Sequence, residues 1–294
     1  MRALLPVLER RLLCVPLLMA AVLEAFAQRA PAAGPQHAIT RHVLAAVQDD
    51  TGRPIVDIDL DDFVVREDDE ERDVLSIQLA DYPIVVVIDN GRSADRDFDA
   101  VRRATRRFIE RVGHRPLAVV SSDPPRVVAT FDEERPRILD RIDRLRKGGS
   151  TDGVFPGVVT AAQTIQQTGA LFSAIVAVVT NFGGTLPPDF PAPVLDSGAS
   201  VHLVIQQKAT GRATRAARQW ADALTSLVDD THGQVMTIYS PDSFQQALDR
   251  EANQLATELM VEYVAPADSA PDSRVKIGVR LAGASVHFLG VARR

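Results

Sequence analysis

The sequence predicts an α/β fold: a doubly wound, mostly parallel sheet with helices on both faces, plus a small β-sheet or sandwich built from the two chain ends. Three observations predict it. Five short apolar runs alternate with amphipathic stretches between residues 84 and 239, the pattern of strands joined by helices. The first run, Ile84-Val85-Val86-Val87-Ile88, has five β-branched residues and no polar interruption, as expected of a strand covered on both faces. Before residue 80 and after residue 258 the pattern is extended and broken by turn signals instead.

The first residues read as a targeting segment. Arg2, Arg10 and Arg11 precede an apolar stretch over 12–23, and Ala25-Phe26-Ala27 is a small-x-small cleavage site, so a secretory signal peptide over 1–27 is expected. The stretch is shorter than the roughly 20 apolar residues a bilayer-spanning helix needs. Residues 28–37, rich in proline, alanine and glycine, read as a linker. A β segment over 38–80 follows, with strands near 43–47, 62–66 and 74–79, a turn at Asp50-Thr51-Gly52-Arg53-Pro54 and a charged turn over 67–73.

The α/β domain is expected over 81–257. Its strands are 84–88, 117–121, 175–180, 201–205 and 234–239, with 126–131 as an antiparallel edge strand hairpinned to 117–121. Helices fit 98–112, where Val101, Ala104, Phe108 and Val112 share a face, and 135–145, with Ile138, Leu139, Ile142 and Leu145. Further helices fit 158–167, 213–228 and 243–259. The last part, 258–294, reverts to strands at 259–264, 274–281 and 285–291, which are expected to pack with 38–80.

Composition narrows the function. Cys14, the only cysteine, lies in the signal segment, so the mature chain has no disulfide, thiolate metal site or thiol nucleophile. Loss of that segment moves the formal charge from −6 to −7, which argues against nucleic acid as a partner. The arginines of 102–111 are interleaved with acids and read as a solvated helix face. Enzyme motifs fail in turn: there is no H-E-x-x-H, the six histidines lack ligand spacing, and Lys147-Gly148-Gly149-Ser150-Thr151 has P-loop residue types in the wrong order. Gly91-Arg92-Ser93 is half of a nucleophile elbow without its second glycine, and no G-x-G-x-x-G follows the first strand.

One constellation remains. Asp89 with Ser93, Ser150-Thr151-Asp152, and Thr180-Asn181 stand at or beside strand ends, where open α/β sheets bind ligands. These oxygen donors suit a hard cation such as Mg²⁺ or Ca²⁺. The same residues also suit helix caps and tight turns, and that alternative stays open.

Asp89-Asn90-Gly91-Arg92-Ser93, Gly148-Gly149-Ser150-Thr151 and Val178-Val179-Thr180-Asn181 resemble, in that order, the three elements of the metal-ion-dependent adhesion site of the von Willebrand factor A domain family. The flanking parts are similar to bacterial VWFA-related proteins abundant in Acidobacteria: Val47-Gln48-Asp49-Asp50-Thr51-Gly52-Arg53-Pro54-Ile55-Val56, then Leu60-Asp61-Asp62-Phe63, and at the far end Glu262-Tyr263-Val264-Ala265-Pro266. The resemblance implies a VWA-type fold and an exported, periplasmic or secreted, non-catalytic protein that binds a protein partner or mediates adhesion. It implies Asp89, Ser93 and Thr151 as direct ligands of Mg²⁺ or another divalent cation, with Asn181 as an indirect ligand. Two positions depart from the family: Gly91 replaces the first serine of D-x-S-x-S, and Asn181 replaces an aspartate. The site is therefore degenerate, and absence of any metal is the equal alternative. Asp95 and Asp152 are candidates to compensate. A metal-free scaffold module and a hydrolase using Ser93 remain as other readings.

Overall fold

The computed structural model describes residues 38–94, 96–151, 153–180, 190–207, 215–267 and 274–292. The signal peptide and linker expected over 1–37 lie outside these residues.

Seven strands and two sheets come from the chain ends. β1 (Ala38–Gln48), β2 (Phe63–Glu67), β3 (Glu70–Arg72) and β4 (Val74–Leu79) precede the α/β part. That part contains β5 (Ile84–Ile88), α1 (Phe98–Arg111), β6 (Leu117–Ser122), β7 (Pro125–Ala129), α2 (Arg135–Asp143), α3 (Phe155–Gln166) and β8 (Ala174–Val179). It continues through α4 (Ala192–Leu195), β9 (Ser200–Gln206), α5 (Arg215–Asp230), β10 (Gln234–Ile238) and α6 (Ser243–Ala256). The chain then closes with β11 (Leu259–Pro266), β12 (Val275–Val279) and β13 (Ser285–Val291).

The central sheet has the order β10-β9-β8-β5-β6-β7. All its pairings are parallel except β6 with β7, the expected edge hairpin. β5 is central because both its faces are covered. Ile84, Val86 and Ile88 pack with Phe98, Phe108, Ile142 and Leu248 of α1, α2 and α6. Val85 and Val87 pack with Phe155, Val158 and Ala162 of α3, in a cluster that also holds Leu224 of α5. This two-sided cover explains a strand with no polar alternation.

The end segments form two antiparallel sheets, β13-β1-β11-β4 and β12-β2-β3. Val43, Ala45, Val47, Val261 and Tyr263 of the first sheet face Phe63 and Val65 of the second, making a sandwich core. Leu44, Met260 and Leu289 of the first sheet instead join the α/β core. The four-stranded sheet is thus a middle layer, which is why β1 is buried without a break from Val43 to Val47.

Three local expectations change. The charged turn over 67–73 is a hairpin turning at Asp68-Asp69, both at positive φ as a tight two-residue connection requires. Its first residue, Glu67, is fully buried and ion-paired with Arg41. The helix expected to reach 259 stops at Ala256, because Leu259 already pairs with Leu79 and Ala45 in the four-stranded sheet. The helix expected from 158 begins at Phe155, with Pro156 in its first turn, where a missing N–H does no harm.

Candidate functional site at the carboxyl ends of the central strands

Asp89 follows β5 directly, and β5 lies between β6 and β8, where the strand order reverses direction. Connections leave for opposite faces there, which opens a crevice at the carboxyl ends. The Asp89 carboxylate is fully buried. Its Oδ2 accepts hydrogen bonds from the Thr180 amide (3.1 Å) and the Thr180 hydroxyl, and its Oδ1 accepts the Gly91 amide at 3.2 Å. The Ser122 hydroxyl lies 3.5 Å from Oδ1 and 3.3 Å from the Asn90 side-chain oxygen, and shares its proton between them. Burial pushes the Asp89 carboxyl above the ordinary aspartate value, against the opposing effect of these hydrogen bonds.

A second set of bonds ties the neighbouring loops together. The Asn90 amide group donates to the carbonyls of Asp123 and Arg146 (3.0 Å for the latter), and its oxygen accepts the Asp123 N–H at 2.9 Å. Gly148 N–H donates to the Asn90 carbonyl at 2.7 Å, and Arg92 N–H to the Ser150 carbonyl at 2.9 Å. The Asp123 carboxylate accepts the Ser150 N–H at 2.6 Å. The loops after β5 and β6 and the 148–151 loop are therefore one hydrogen-bonded unit.

Two glycines make this closeness feasible. A Cβ on Gly148 would stand 2.0 Å from Oδ2 of Asp123, and one on Gly91 would stand 3.2 Å from the Ser150 carbonyl. A side chain at 91 would press on the 148–151 loop, whose Ser150 carbonyl would have to give by a few tenths of an ångström. Gly148→Ala is expected to fold but to expel the Asp123 carboxylate from Ser150, destabilising the chain by about 1–3 kcal/mol as overpacking does. Amide exchange at Ser150 should accelerate in the variant; unchanged exchange would show that the loop does not depend on this contact.

Of the four residues suggested by the sequence, Asp89 stands at the strand end and Thr151 is exposed. Ser93 lies on a short 3-10 turn, Arg92–Ala94, with its side chain outside the described set. Asn181, Asp95 and Asp152 lie outside the described residues. The protein's own donors reach both oxygens of the Asp89 carboxylate, Thr180 on Oδ2 and Gly91 on Oδ1, with the Ser122 hydroxyl at a longer 3.5 Å from Oδ1. A cation held by Asp89 would share the carboxylate with these donors. Among the described residues no group of three or more histidine, cysteine or acidic side chains could hold a metal ion.

Sequence reasoning missed Asn90, Ser122 and Asp123. Asp123 stands at the carboxyl end of β6 as Asp89 does at that of β5, but Ser121 and Ser122 separate it from the apolar run.

The six-stranded doubly wound sheet, with helices on both faces and its loop cluster after β5, is a von Willebrand factor A-like fold. No known family model and no curated protein matches the sequence. Among solved structures, the chain is similar to a von Willebrand factor type A protein from Catenulispora acidiphila, at 12% identity over 86% of this chain and 72% of that one, with a TM-score of 0.47. It is also similar to the vWF domain of the type V pili tip protein Mfa5 from Porphyromonas gingivalis, at 14% identity, 60% and 95% coverage and a TM-score of 0.42. The PilB minor pilin from Streptococcus sanguinis matches at 10% identity, 61% and 62% coverage and a TM-score of 0.43. No residue role is carried over from likenesses this distant.

Proposed function

We propose that the chain is an exported, non-catalytic interaction module that binds another protein through the carboxyl-end face of its central sheet. The observation behind this reading is the locked loop unit at the strand-order reversal, with the exposed Arg92 and Thr151 on its rim. Preorganised loops on a rigid sheet suit recognition, because little ordering remains to be done on binding. The described histidines lie on the sandwich strands or towards the amino ends of the central strands, away from Ser93, which supports the non-catalytic reading over a Ser93 hydrolase. Among the described residues no helix is long and apolar enough to cross a membrane.

A photo-crosslinker placed at position 151 should trap a partner in the native envelope, whereas one at Arg103, on the flank of α1, should not. Equal trapping from both positions would remove the carboxyl-end face from the proposal.

Metal is the second question for this site. The degenerate adhesion-site reading keeps Asp89, Ser93 and Thr151 around a divalent ion, with Asn181 acting through water. The engaged Asp89 carboxylate favours the metal-free scaffold reading instead. Calorimetry with Mg²⁺, Mn²⁺ and Ca²⁺ separates them. Binding that weakens at least tenfold in Thr151→Ala, whose exposed side chain can be lost without unfolding, supports the metal site. No heat at millimolar metal would end it.

A further inference from the structure

We propose that the outer edge of β4 is a second docking site, which accepts a short extended segment of another protein carrying apolar side chains between basic ends. β4 is the last strand of its sheet, paired with β11 on one side only among the described residues. Its free backbone N–H and C=O groups are a template for one more strand.

The edge lacks the usual protection. The strand Val74–Leu79 contains no lysine, no proline and no charge. Leu75 and Leu79 are 45% and 53% exposed, and Leu60, on the 3-10 turn Leu60–Asp62 packed against β4, is 46% exposed. Leucines of this exposure along a bare strand edge form an apolar contact surface. One protective device is a register shift opposite Glu262/Tyr263, which skips Leu75. Such a bulge twists the strand and limits added pairing to a short stretch.

Charge decides the occupant. Asp73 stands immediately before β4 and Asp81 two residues beyond its end, both exposed. Asp57, Asp59 and Asp61, also exposed, lie on the segment leading into and along the turn that packs on β4. None of these five carboxylates makes an ion pair among the described residues. A second copy of the chain paired antiparallel about Ile77 would oppose Leu75 with Leu79, but it would also set Asp73 against Asp81 at both ends. Like charges directly opposed across a strand pair are unfavourable. A foreign strand with lysine or arginine at each end meets the same carboxylates with complementary charge, over about 26 Å at the usual rise per residue. This edge joins β5 at its amino end, so it lies at the end of β5 opposite Asp89. The two proposals therefore fail independently.

The test uses the full chain and two fluorescent nine-residue peptides of alternating valine and threonine, one with a lysine at each end and one with a glutamate at each end. The basic peptide should bind, and more weakly as salt is raised; the acidic peptide should bind at least tenfold more weakly. Asp73→Asn with Asp81→Asn should reduce that discrimination at least threefold, and Leu75→Ser with Leu79→Ser should abolish binding. All four side chains are exposed, so unchanged melting curves will show that the variants are folded. Equal binding of both peptides, or none at millimolar concentration, overturns the proposal. A dimer in sedimentation velocity that Leu79→Ser dissolves would assign the edge to a second copy and overturn it equally.

Discussion

Val86→Asp is expected to abolish cooperative folding. Val86 is fully buried at the middle of β5, hydrogen-bonded between Val119 of β6 and Val176 of β8, and packed in the cluster beneath α1. Losing the valine forfeits about 1.5–3 kcal/mol of burial. A carboxylate left there without a partner adds a penalty of roughly several kcal/mol. Together these reach a net domain stability of about 5–15 kcal/mol. Tyr239→Asp is the control: Tyr239 is 76% exposed just past the end of β10, and its loss should shift the melting temperature little. Circular dichroism with thermal melts checks both, and a soluble Val86→Asp protein with an unchanged transition would show that β5 is not the structural centre.

The chain is expected to be more stable in mildly acidic solution than at pH 8, because of a buried polar network where the sandwich meets the α/β domain. The two described crossings between these parts run through residues 80–83 and 257–258. They are tied together by Ala80 N–H donating to the Glu258 carbonyl at 2.8 Å and by the Tyr82 hydroxyl donating to the Glu258 carboxylate. Arg115 stacks on the Tyr82 ring at 4.4 Å and stands 3.7 Å from Glu258. Nearby on β9, His202 Nδ1 lies 2.8 Å from Glu251 of α6, and Gln234 of β10 donates to the same carboxylate.

Burial raises Glu258 from 4.5 to about 7, with Glu251 adding to the rise while Tyr82, His202 and Arg115 oppose it. Burial pulls His202 down, but Glu251, with Glu258, more than offsets this and holds the imidazole above its ordinary value. Both groups bind protons more tightly folded than unfolded. The Glu258 contribution is therefore complete below about pH 4.5 and is lost as pH rises through about 7, and the His202 contribution is lost above 6.5. For Glu258 the loss is on the order of 3 kcal/mol. Glu258→Gln removes the charge and keeps the shape, so it should flatten the fall in denaturation midpoint between pH 5 and 8. A slope identical to that of the parent would place the pH sensitivity elsewhere.

The buried network also marks where sequence reading stops. Glu258 read as the end of a helix, Tyr82 as part of a connection, and His202 as an ordinary strand histidine. Nothing in their local pattern announces that the chain brings Tyr82 and Glu258, 176 positions apart, into one hydrogen bond. Glu67 was hidden for the same reason: in a run of seven charged residues, 67–73, its burial follows only from Arg41 on another strand. Asp89 was legible as an address because it ends an unmistakable strand. Its hydrogen bonds from Thr180, 91 positions on, were not.

The sequence by itself determined the alternation of strands and helices, the centrality of β5, the edge hairpin and the strand end at which the loops converge. Each is written in local period and in the point where an apolar run stops. Only the tertiary structure decided which polar groups are buried, which carboxylates are already satisfied and which strand edge is left open. Those outcomes depend on partners brought together from distant parts of the chain, and a buried charge is tolerated only where such a partner arrives.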